Sequence, residues 1–67
     1  MEYYINDKQV KLDIFQYYLI RSIKCQTDYS LNNKEVHYIY IDYFNDMKNN
    51  GVIISFKDKL SYKIRKD

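Results

Sequence analysis

The sequence predicts a small α+β domain over residues 1–67, in the order β-hairpin, helix, helix, β-hairpin, with antiparallel strands. Three observations carry that expectation. Near both ends of the chain apolar and polar residues alternate, around Tyr3, Ile5 and Val10 and again from Val52 to Ile64, and a period of two marks a half-buried strand. Between them apolar residues recur at spacings of three and four, the helical period. The 67 residues are 46% apolar and 30% charged, with one glycine and no proline, a folding composition with room for one core.

The first hairpin spans residues 3–12, where Tyr3 and Ile5 face Leu12 and Val10 across a turn at Asn6-Asp7-Lys8-Gln9, leaving Tyr4 and Lys11 on the other side. Asp13 and Gln16 stand three apart as a capping box, and Leu12 and Tyr17 are placed as a hydrophobic staple. A helix is therefore expected from about Ile14, fraying near Gln26. Ile14, Phe15, Tyr18, Leu19, Ser22 and Cys25 form its apolar face. Ile20 falls outside that face and calls for a second layer or an interface.

Residues 36–44 are rich in β-branched and aromatic side chains, and propensity alone favours a strand there. The flanks favour a helix from about Asn33 to Asn49. Asn32 and Glu35 make a capping box, Leu31 and Val36 a staple, and Gly51 stands where a left-handed cap is wanted, with Met47 and Val52 beside it. Val36, Ile39, Tyr40, Tyr43, Phe44 and Met47 then share one face. We take the helix, with the strand as the alternative.

In the last hairpin Val52, Ile54 and Phe56 pair with Ile64, Tyr62 and Leu60 across Lys57-Asp58-Lys59, placing all six on one face. Ile53, Ser55, Lys57, Lys59, Ser61, Lys63 and Arg65 occupy the other.

Composition narrows function mainly by exclusion. Cys25 is the single cysteine, so neither an internal disulfide nor a cysteine-based metal cluster is available, and a reducing cytoplasm is expected. No apolar run approaches the roughly 20 residues of a membrane span, and the first residues lack the pattern of a signal peptide. His37 is the only histidine and has no nucleophile–base signature around it, so it reads as an ordinary surface group. Cys25 reads as a small hydrophobe closing the first helix's face. No glycine-rich phosphate loop or metal-ligand pattern occurs. The chain is expected to be no enzyme and to need no cofactor.

Two charged surfaces remain. Glu35, Asp42 and Asp46 fall along one side of the second helix, with Tyr38 and Ile41 beside them. Such a ridge is a solvated helix face or a contact that imitates nucleic-acid phosphates before a basic protein groove. Lys57, Lys59, Lys63 and Arg65 line the last hairpin, as an edge protected by lysines or as a phosphate-contacting wing. Five apolar residues off the core faces, Tyr4, Ile20, Tyr38, Ile41 and Ile53, suggest one recognition patch, because tyrosine supplies contact area and a hydroxyl at low entropic cost.

The opening Tyr3-Tyr4-Ile5-Asn6-Asp7-Lys8-Gln9-Val10, the strand Gly51-Val52-Ile53-Ile54 and the closing Ser61-Tyr62-Lys63-Ile64-Arg65-Lys66 resemble small accessory proteins of phages and mobile elements in AT-rich bacterial genomes. That resemblance implies an inhibitor of host machinery, of the anti-CRISPR type, acting in the cytoplasm of a bacterial host. The partner would be a host protein such as a CRISPR-Cas nuclease; the resemblance carries over no site residue, and the contact expected from the helix pattern is Glu35, Tyr38, Ile41, Asp42 and Asp46. The alternative is a winged-helix-like DNA-binding regulator using Lys57, Lys59, Lys63 and Arg65. A third is a homodimer hiding Ile20 and Ile41.

Overall fold

The two ends of the chain meet in one sheet. A computed structural model, describing residues 1–66, shows β1 (Glu2–Ile5), β2 (Lys8–Val10), α1 (Leu12–Gln26), α2 (Asn33–Asn50), β3 (Ile54–Ser55) and β4 (Ser61–Arg65). The strands lie in the order β2-β1-β4-β3, all antiparallel. Each hairpin thus contributes one interior strand, and the seam between them pairs Tyr3 with Ile64 and Ile5 with Tyr62.

This register puts Tyr3, Ile5, Val10, Ile54, Tyr62 and Ile64 on one face, and both helices pack there. Phe15, Leu19, Ile23, Met47 and Tyr62 lose essentially all solvent contact, each such burial stabilising the fold by roughly 1.5–3 kcal/mol. Tyr62 sits edge-on to Phe15 and to Phe56, with centroids 5.6 Å away in each case.

The first hairpin turns more tightly than expected. Asn6 and Asp7 both have positive φ, 50° and 66°, so two residues make the connection and Ile5 faces Lys8. Tyr3 therefore faces Val10, and Leu12 is already the first residue of α1. The Asp13–Gln16 capping box is absent. The N-cap is Lys11, and the Asp13 carboxylate instead accepts from the N–H of Ile14. With the helix starting earlier, the staple positions shift to Phe15, in the core, and Val10, packed against it, while Leu12 and Tyr17 are exposed.

On α1 the buried face is Phe15, Leu19, Ser22 and Ile23, whereas Ile14 and Tyr18 are 42% and 40% exposed. The expected face was centred too far toward Ile14. Ile20, left over in the sequence, packs against the core.

The helix expectation for 36–44 holds against the strand. Asn32 and Glu35 form both bonds of the capping box, at 2.9 and 3.1 Å, and Gly51 caps the far end at φ 66° with its N–H on the Met47 carbonyl. Val36, Tyr40 and Met47 are buried, with Ile39, Tyr43 and Phe44 packed beside them. Ile54 faces Tyr62 as expected, and the loop closes through Phe56 N–H to Leu60 C=O, with Lys59 left-handed at φ 69°. Val52 falls outside the ladder and is exposed, because β3 begins only at Ile54.

Candidate functional site

The outer side of α2 carries the acidic ridge. At 100° per residue Glu35, Tyr38, Asp42 and Asp46 fall within about 80° of arc; Tyr38 projects opposite the buried Val36, Tyr40 and Met47, and Ile41 lies about 60° further round beside Tyr38. All five candidate residues are exposed, Tyr38 at 58% and Ile41 at 38%. A rise of 1.5 Å per residue spaces the carboxylates about 10 and 6 Å apart along the helix axis. Glu35 closes the capping box and Asp46 accepts from the Asn50 amide at 2.7 Å. Among the described residues none of the three forms an ion pair with a cation of the chain. His37 is exposed on the other side of the helix from the ridge and stacks on Tyr40, with ring centroids 6.1 Å apart.

The basic hairpin is differently arranged. Lys57 pairs with Asp28, Lys63 with Asp7 at 3.7 Å, and Arg65 with Glu2 at 3.8 Å. The Asp28 carboxylate raises the Lys57 pKa by hydrogen bonding. The Lys63 ammonium also lies 4.9 Å from the centre of the Tyr4 ring. Three of the four cations are thus balanced within the chain. Nor is the hairpin a projecting wing, since β4 is interior to the sheet.

The apolar residues expected to form one patch are divided. Tyr38 and Ile41 lie on α2, but Tyr4 and Ile53 lie on the open face of the sheet, lining a shallow hollow of about 270 Å³ with Asn6, Asp7, Ser61 and Lys63. The Tyr4 hydroxyl donates to Glu2 at 2.8 Å, which raises its pKa. Ile20 belongs to neither group.

The chain matches no protein-family model, no curated protein and no solved structure. Its function has to be read from its own surfaces.

Two features escaped the sequence reading. Ser22, fully buried, sits 2.6 Å from both the Tyr62 hydroxyl and an Asp58 oxygen, while the other Asp58 oxygen accepts from the Leu60 N–H. This polar chain is closed to solvent at its centre and offers no nucleophile to a substrate. A serine among the apolar positions of the first helix was the available signal. The second feature is the exposed set Leu12, Ile14, Tyr17 and Tyr18 on α1, which the capping-box argument hid by placing the helix start too late.

Cys25 is half-buried and unpaired by disulfide. Among the described residues no group of three or more His, Cys, Asp or Glu side chains is placed to hold a metal ion, and no helix is long and apolar enough to cross a membrane.

Proposed function

We propose that the chain is a non-enzymatic, phage-type inhibitor that binds a host protein stoichiometrically, a CRISPR-Cas effector or another nucleic-acid enzyme, in the cytoplasm of a bacterial host. One contrast carries this reading. Among the described residues the exposed carboxylates of α2 have no cation of the chain as partner, whereas three of the four hairpin cations have a carboxylate beside them. A surface whose charge is uncompensated within the molecule is the one available for a charged partner.

Glu35, Asp42 and Asp46 would take the place of phosphates before a basic groove, and Tyr38 and Ile41 would supply the apolar anchor that a phosphate mimic needs for specificity. Inhibition then follows from occupancy. The DNA-regulator alternative, through Lys57, Lys59, Lys63 and Arg65, has less support, since contacting phosphate would require Lys57, Lys63 and Arg65 to leave their present partners.

The test is recovery of the tagged chain from a bacterial host lysate with and without nuclease treatment, read by mass spectrometry. The expected result is one protein in 1:1 ratio that survives nuclease treatment and is lost with Asp42→Lys/Asp46→Lys. Binding that disappears with the nucleic acid would overturn the proposal in favour of the basic hairpin.

A further inference from the structure

The groove along α1 lies apart from the α2 ridge. Its centre, about 380 Å³, is lined by Ile5, Val10, Ile14, Tyr18 and Leu60 with Asn6 and Lys8 at the margin. Toward the start of the helix it continues past Gln9 and Lys11, sharing Val10 and Ile14. Toward the end of the helix it continues past Arg21 to Cys25 and Tyr29, sharing Tyr18 and Leu60. One channel therefore follows the helix from Ile14 to Cys25, a rise of about 16 Å.

Two properties define what fits it. Along the helix Ile14, Tyr18, Arg21 and Cys25 are spaced four, three and four apart, the ridge against which another helix packs. The rim is basic. Lys8, Lys11 and Arg21 line it. The carboxylate that reaches the groove, Asp58, is engaged by Ser22 and by the Leu60 N–H. A second copy would bring the same cations against these and be repelled.

We infer that this groove receives an acidic amphipathic helix of a partner protein. Apolar side chains of that helix, three and four apart, rest on Ile14, Tyr18 and Leu60, and its carboxylates lie beside Lys8, Lys11 and Arg21, the helix-in-groove mode of recognition. The inference uses no residue of the α2 ridge and stands or falls separately from it.

The isotope-labelled full chain is titrated with two synthetic alanine-based peptides about four helical turns long. Both carry leucines at helical spacing, one with glutamate and one with lysine at the polar positions, and amide shifts are followed. The glutamate peptide shifts Val10, Ile14, Tyr18 and Leu60 saturably and the lysine peptide does not. Ile14→Glu, at an exposed position, and Lys8→Glu/Lys11→Glu, which leaves the apolar floor intact, each weaken it about tenfold or more, while Asp42→Lys/Asp46→Lys does not. Equal response to both peptides, shifts confined to other surfaces, no shifts at millimolar peptide, or a dimer of the chain already filling the groove would overturn the inference.

Discussion

The Tyr62 hydroxyl lies 2.6 Å from Ser22 Oγ with both side chains fully shielded from solvent, and this contact fastens the interior strand β4 to α1. Ser22 has one proton, and it is donated to the Asp58 carboxylate at 2.6 Å. The tyrosine therefore donates to the serine, and three elements distant in sequence are held in one polar chain.

Ser22→Ala leaves the Tyr62 hydroxyl buried without its acceptor and should destabilise the fold by about 1–3 kcal/mol in urea unfolding. Tyr62→Phe removes the donor itself and should cost less, about 0.5–1.5 kcal/mol. The double variant should lose less than the sum of the two, because the groups share one interaction. Strict additivity would contradict the chain.

Burial pushes the Tyr62 pKa up to about 12, and the nearby Asp58 carboxylate adds to the rise. A folded-state value above the ordinary 10 of an unfolded tyrosine means that this contribution to stability is complete below pH 10 and is lost as the pH rises toward 12. The parent should show a steeper alkaline loss of stability across that window than Tyr62→Phe. Identical profiles would count against the burial argument.

The two helices should answer differently to loss of their first-turn acceptors. Asn32→Ala breaks the capping box of α2 and should cost about 1 kcal/mol. Asp13→Ala removes only a local contact and a favourable charge near the N-terminus of α1, about 0.3 kcal/mol at an exposed site. Chemical denaturation of both variants checks this, and an equal or larger loss at Asp13 would restore the capping box there.

Asp7 sits at φ 66° in the first turn, a conformation glycine adopts without strain. Its ion pair with Lys63, at 3.7 Å and mostly exposed, adds little. Asp7→Gly should therefore raise the thermal midpoint or leave it unchanged, whereas Gly51→Ala, at the left-handed cap of α2, should lower stability by about 1 kcal/mol. Nothing lies within 4 Å of a Cβ built at Gly51, so that loss is purely conformational.

The contrast between the caps also explains how much was legible. α2 was readable because its boundary signals, Asn32, Glu35 and Gly51, are local and all used. α1 was misjudged at its start because Asp13 and Gln16 match a local motif that the tight Asn6-Asp7 turn pre-empts, bringing the chain round two residues earlier. The faces of the last hairpin followed from alternation, but the pairing of Tyr3 with Ile64 joins residues 61 positions apart, and no local pattern reports it. The same limit hid the partners of the basic side chains. Lys63 and Arg65 looked like a free phosphate-binding face until the seam between β1 and β4 brought Asp7 and Glu2 alongside. For α2, by contrast, helical spacing alone placed Tyr38, Asp42 and Asp46 on one exposed side.

The most direct measurement of the central claim is titration of DNA cleavage by purified CRISPR effector nucleases with the parent chain, with Asp42→Lys/Asp46→Lys and with Lys57→Glu/Lys63→Glu. The account predicts inhibition of one effector that ends sharply at one chain per enzyme, is lost on reversing the α2 carboxylates and persists on reversing the hairpin lysines. Inhibition that survives the first reversal and is lost with the second would place the working surface on the sheet and contradict the account.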